Sequence, residues 1–272
     1  MVKKLRFAWR AAALAAAILA PATAAYSAEP APGYADLADL TIAAPVIVHA
    51  VITDVERISE KDSPGLAPGR ARLLVTARVD AALVAPSAVP ALLSWLWDAP
   101  LDARGKAPKP KGLPIIAWTA VPAADGKTRL VAGGGQMAWD AATEARVRAI
   151  AVEARSGTVP AINGVSNGFR VDGTVPGESE SQFFLTATDG NRLTMVVTAK
   201  PGEVRRVAIS RGDVIDESAA MVRPETLLQY RLACILPADL PAAAGGGDKA
   251  LAADWRAALA AIGPCGRTPQ NN

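Results

Sequence analysis

Ala71–Leu83 reads ARLLVTARVDAAL, an alternating run that sets the architecture of the chain. Every odd position is apolar: Ala71, Leu73, Val75, Ala77, Val79, Ala81 and Leu83. Arg72, Thr76, Arg78 and Asp80 occupy even positions. Successive side chains of a strand point to opposite faces, so this period of two predicts a long strand with one buried face. It is long enough to bend across a barrel.

Upstream, Val46–Ile58 is expected to be a strand, and Ser59–Gly69, with Pro64, Gly65, Pro68 and Gly69, a polar loop. Downstream, Ala91–Asp98 and Leu113–Val121 read as two more strands, with Leu93, Trp95 and Trp97 sharing a face. A turn at Asp125-Gly126 precedes a short fifth strand at Thr128–Ala132, which Gly133–Gly135 breaks. Asp140 is placed to cap a helix running to Arg155, with Val147, Ile150, Ala151 and Ala154 on one face and Ser156-Gly157 ending it. Residues 28–37 read as a flexible lead-in. Five strands and a helix predict a small barrel or sandwich over residues 28–157.

The second half, residues 158–272, begins as an antiparallel meander: Gly168–Gly173, Gln182–Thr188, Leu193–Lys200 and Val204–Ser210. Asp189-Gly190 and Pro201-Gly202 supply tight turns. Two helices follow, Glu225–Leu236 and Lys249–Ile262. Asp248 caps the second, and Leu251, Trp255, Leu259 and Ile262 form its apolar stripe. The fold class is therefore α+β and mainly β, with two helices at the C-terminal end.

Residues 1–27 have the form of a cleavable export leader. Lys3, Lys4, Arg6 and Arg10 precede the apolar run Ala11–Ala20, and Ala22-Thr23-Ala24 or Ala25-Tyr26-Ser27 offers the cleavage site. The apolar run is about half the length that a spanning helix needs, so no transmembrane anchor is expected after cleavage. The working protein is expected to be periplasmic or secreted. The chain has 29 basic and 26 acidic residues, and losing the four leader cations leaves 25 against 26. A near-neutral mature chain lacks the basic footprint of a nucleic-acid-binding protein. Cys234 and Cys265 are the only cysteines, and an oxidising compartment predicts that they form a disulfide. A simple helical hairpin would leave them roughly 20 Å apart, at 1.5 Å per helical residue. Either the Pro237–Gly247 linker returns so that the two C-terminal helix ends meet, or the first helix is misplaced.

No catalytic constellation is evident, and no metal or cofactor is expected. His49 is the only histidine and shares a strand face with Ile47, Val51 and Val55, which predicts a core position. Gly164-Val165-Ser166-Asn167-Gly168 has the letters of a nucleophile elbow. That chemistry needs a strand-to-helix turn and a histidine to take the proton, whereas strand follows here. Glu178, Glu180, Asp213, Asp216 and Glu217 match no calcium-loop spacing. Gly133–Gly135 and Gly245–Gly247 lack the context of a phosphate loop. The distinctive surface feature is LDARGKAPKPKG, residues 101–112. Its Arg104, Lys106, Lys109 and Lys111 are kept extended by Pro108 and Pro110, an arrangement suited to an anionic surface or an acidic envelope protein.

The segments ADLTIAAPVIVHAVITDVERI (38–58), Ala71–Leu83, LLSWLWD (92–98) and LPIIAWTAV (113–121) resemble the oligonucleotide-binding-type barrels of netrin-like and metalloproteinase-inhibitor-like domains. The resemblance implies such a barrel for the N-terminal half. The N-terminal cysteine on which those inhibitors depend is absent, so no inhibitory role is carried over. The whole chain also resembles uncharacterised exported proteins of high-GC Gram-negative bacteria. Together these readings give the expectation of an exported, non-enzymatic binding or interaction protein of the cell envelope, with a motif-less hydrolase or isomerase as the alternative.

Overall fold

The structure, a computed structural model, describes residues 32–211 and 221–268. The expected leader lies outside the described residues, as do Asp213, Asp216 and Glu217. The fold is α+β and mainly β, built on two antiparallel sheets with four α-helices.

The alternating stretch forms strand β2, Arg70–Val84, beside β1, Val46–Arg57, and β3, Leu92–Pro100. With β4, Pro114–Thr119, and β5, Gln136–Ala138, they make a sheet in the order β3-β2-β1-β4-β5. Register shifts along β1 curl this sheet into a half-barrel, because each irregularity bends and twists the strand that carries it. Its concave side buries Val48, Ala50 and Ile52 of β1, Leu73, Val75 and Ala77 of β2, and Leu93, Trp95 and Trp97 of β3. The Trp95 indole N–H donates to Gln136 Oε1 at 2.7 Å, tying the two edge strands together through the interior.

The fifth strand is not where the sequence placed it. Residues 126–131 act as a bridge instead: Ser94 N–H donates to the Gly126 carbonyl and Thr128 N–H to the Ser94 carbonyl, while Ala120 N–H donates to the Arg129 carbonyl. This short clasp touches both β3 and the end of β4, closing one end of the half-barrel. The glycine run then folds the chain back, and Gln136–Ala138 pairs with β4. Gly126 is required at the clasp: its φ is +80°, and a Cβ there would lie 2.2 Å from the Leu92 carbonyl oxygen.

The expected lead-in is also corrected. Tyr34–Ala43 is a helix, α1, with Ala35, Leu37, Ala38 and Thr41 buried. It packs with Ile47, Ile116 and Trp118 on the convex side of the sheet, and the Trp118 indole donates to Thr41 Oγ1 at 3.1 Å. The helix capped by Asp140 is α2, Ala141–Arg155, and Val147 and Ile150 face the same cluster.

The second sheet has the order β6-β7-β8-β9: Ile162–Asp172, Ser179–Ala187, Arg192–Ala199 and Arg206–Arg211. Strand β7 alternates buried and half-buried residues along its whole length. Its inner face packs on α3, Leu227–Ile235, and α4, Lys249–Ile262. Phe183 meets Trp255 edge to face, with ring centroids 5.1 Å apart. Leu227 and Tyr230 of α3 also enter the cluster beneath α1 and α2, so that core is built by residues from both halves of the chain.

Cys234 and Cys265 are disulfide-bonded, with Cα atoms 4.7 Å apart. The returning linker is the solution adopted. A 3₁₀ turn at Ala242–Ala244 reverses the chain, and the Pro237 carbonyl accepts from the Trp255 indole at 3.1 Å. Among the described residues no helix is long and apolar enough to cross a membrane.

Candidate functional site

The 101–112 loop is not a hairpin. It leaves edge strand β3 and crosses the end of the half-barrel, past β2 and β1, to enter β4. Leu101 N–H donates to the Gly69 carbonyl at one side, and Gly112 N–H to the Ile52 carbonyl at the other. Asp102 sets the first half. Its Oδ1 accepts from the Arg104 and Lys106 backbone N–H groups, both at 2.8 Å, and its own N–H donates to the Lys106 carbonyl. Pro110 is buried and anchors the second half, where its carbonyl accepts from Leu113 N–H.

This scaffold holds all four cations at the surface. Lys111 Nζ lies 3.5 Å from Asp54 Oδ1, and both side chains are 69% exposed, so that pair contributes little. Among the described residues Arg104, Lys106 and Lys109 form no ion pair. Asp102 is the one carboxylate in the loop, and its Oδ1 is occupied by backbone donors. Trp95 and Trp97, next to the loop in sequence, point into the half-barrel and take no part in its surface.

His49 departs from its expected core position. Its ring lies parallel to Trp139, with centroids 4.7 Å apart, and its Nδ1 is 3.4 Å from Glu144 Oε2. The same oxygen accepts from the Trp139 indole at 2.6 Å, and Glu144 Oε1 accepts from Arg148 at 2.8 Å. The Trp139 hydrogen bond is the largest cause holding the Glu144 carboxyl below its usual range, with Arg148 and His49 adding to it against partial burial. The arrangement orients an imidazole against an ionised carboxylate at the junction of β1 and α2. Sequence reasoning did not find Glu144 or Trp139, because neither belongs to a motif and only the fold brings them to His49.

A second polar cluster lies under the other sheet. Asp254 of α4 is buried and accepts from Arg170 Nη1 at 2.6 Å, Ser181 Oγ at 2.7 Å and Arg205 Nε at 2.8 Å. Arg170 stays firmly protonated: burial opposes its charge, and hydrogen bonds to Asp254 and Asp172 outweigh that cost. Each group has a partner, so the cluster fastens α4 to β6 and β7.

Ser166 lies within β6 and donates to the Phe184 carbonyl at 3.1 Å, so the nucleophile-elbow letters fall in a strand. Glu180 accepts from Gln182. Among the described residues no group of three or more His, Cys, Asp and Glu is arranged to hold a metal ion. No family model matches the chain, and no curated protein is significantly similar to it.

Proposed function

We propose that this is an exported, non-enzymatic interaction protein of the cell envelope that engages an anionic surface through the Arg104–Lys111 loop. The observation that carries this reading is the preorganised loop: cations held at the end of the barrel by an Asp102 turn and a buried proline. Little ordering is left to do on contact, which lowers the cost of association. Each cation near an anionic membrane contributes about 1 kcal/mol, so four give roughly thousandfold enrichment. The leader-like residues 1–27 and the Cys234–Cys265 bridge support a periplasmic or secreted location, where disulfides persist. The strand order β3-β2-β1-β4-β5, with a clasp joining β3 to β4, supports an oligonucleotide-binding-type barrel.

Sedimentation with vesicles of equimolar phosphatidylglycerol and phosphatidylcholine tests the proposal. Wild type is expected to pellet with these vesicles and not with pure phosphatidylcholine, and neutralising the four loop cations is expected to abolish the difference. Equal behaviour of wild type and variant would sink the loop's role.

The His49–Glu144 pair favours a second reading, a hydrolase or isomerase using an oriented imidazole. Turnover of any member of an ester, amide and glycoside panel that His49→Ala removes, while the loop variant keeps it, would replace the first reading with this one.

A further inference from the structure

We propose that the C-terminal tail, residues 263–268, is a redox-controlled strap that locks the start of α1 onto α3. The tail leaves α4, crosses α3 and reaches α1 at Arg267 and Thr268. Gln229 of α3 donates to the Pro264 carbonyl at 3.2 Å, and Cys265 is bonded to Cys234 of the same helix. Beyond the bridge, Arg267 makes a two-pronged contact with the Asp39 carboxylate at 2.7 and 2.9 Å. Thr268 donates through its hydroxyl to Asp36 Oδ2 at 2.6 Å, the oxygen that also accepts from Gly33 N–H at the helix start. Gly33 packs so closely that a Cβ there would lie 2.4 Å from the Gly266 carbonyl oxygen. Tyr230 of α3 donates to Asp39 and completes the seam.

These polar contacts do not hold the tail alone. The Arg267–Asp39 pair is part-exposed, so solvent and salt screen even its two-pronged contact. Ordering each residue of the tail carries an entropy cost that accumulates along its length. The disulfide keeps the tail next to α1, so the contacts form within a short tether. When a dithiol reductant acts, the Cys234–Cys265 bond breaks. Two electrons and two protons pass to the cysteines as thiols, and the dithiol closes into its own disulfide. Residues 263–268 then leave, and Gly33–Asp39 lose Arg267, Thr268 and Gly266. The last turn of α1 stays in place because Trp118 holds Thr41. This device rests on the bridge and the seam, independently of the loop's role.

Hydrogen exchange of the folded protein, read by mass spectrometry before and after dithiothreitol, tests it. Exchange is expected to rise at least tenfold in residues 33–39 and 263–268 and to stay unchanged in β7 and β8. A Cys234→Ser/Cys265→Ser double variant is expected to reproduce the reduced pattern. Oxidised Arg267→Ala is expected to show a smaller rise confined to residues 33–39. Unchanged exchange on reduction would overturn the strap, and so would an equal rise throughout the protein, which would make the bridge a global staple.

Discussion

Asp254, 1% exposed on α4, has Arg170, Ser181 and Arg205 as partners. Replacing it with asparagine removes the buried charged acceptor from Ser181, from the part-exposed Arg205 and from Arg170, which keeps Asp172 as a partner, a loss of about 1–3 kcal/mol. Urea denaturation is expected to show that loss, and a change under about 1 kcal/mol would mean the cluster is hydrated rather than buried. Glu144 gives a pH signature. Its carboxyl is held below its ordinary value near 4.5, chiefly by the Trp139 hydrogen bond, so its contribution is present at neutral pH. That contribution fades as acidification carries the pH below the ordinary value and through the lowered one. The stability gap between wild type and Glu144→Gln should therefore narrow below pH about 4.5. Tyr230 behaves in the opposite sense: burial first, then its hydrogen bond to Asp39, pushes its hydroxyl up to about 12. Its contribution is intact below the ordinary phenol range and lost as the pH climbs towards that raised value. Tyr230→Phe should flatten the alkaline decline in stability, measured by thermal melting across that range.

At the scale of elements, α1 depends on tertiary partners more than on its own sequence. It is short and alanine-rich, and its N-cap is a glycine. Thr41→Val should cost about 1–3 kcal/mol by stranding the Trp118 indole N–H in the core; a neutral result in chemical denaturation would mean the indole finds another acceptor. The same dependence explains what was legible beforehand. Strands β2 and β7 show themselves because each buries one face, so alternation is written into their composition. Helices α2 and α4 announce themselves through Asp140 and Asp248, whose carboxylates do accept from the first-turn N–H groups. Helix α1 carries no such cap, and β5 is three residues long, too short for any period to register. The sequence shows β6 only from Gly168, because the glycines at 164 and 168 carry no side chain to mark a period; a register shift accommodates Gly164, and Gly168 pairs regularly with Phe183. The loop cations were legible as charges; their crossing of the barrel end was not, since that follows from β3 and β4 lying on opposite sides of β1. The sequence alone puts His49 in the core, because the partners that fix it, Trp139 and Glu144, lie far along the chain.

At the scale of the molecule, a half-barrel and a second sheet share a helical layer into which both halves of the chain send residues, and Arg267 after α4 meets Asp39 of α1 beside it. The barrel end opposite the clasp carries the cationic loop, well exposed and held in shape by Asp102 and Pro110. Because those charges are not packed into a core, neutralising all four should change stability by under about 0.5 kcal/mol per site. Binding is thereby separable from folding. The most direct measurement is vesicle association of wild type and the Arg104→Ala/Lys106→Ala/Lys109→Ala/Lys111→Ala variant across a salt series. Raising salt shortens the screening length from about 10 Å at 0.1 M to about 3 Å at 1 M. Wild-type binding to phosphatidylglycerol vesicles is expected to fall steeply over this range, and the folded variant to stay unbound throughout. Binding that ignores both salt and the four substitutions, or no binding by the wild type at low salt, would contradict the loop's role.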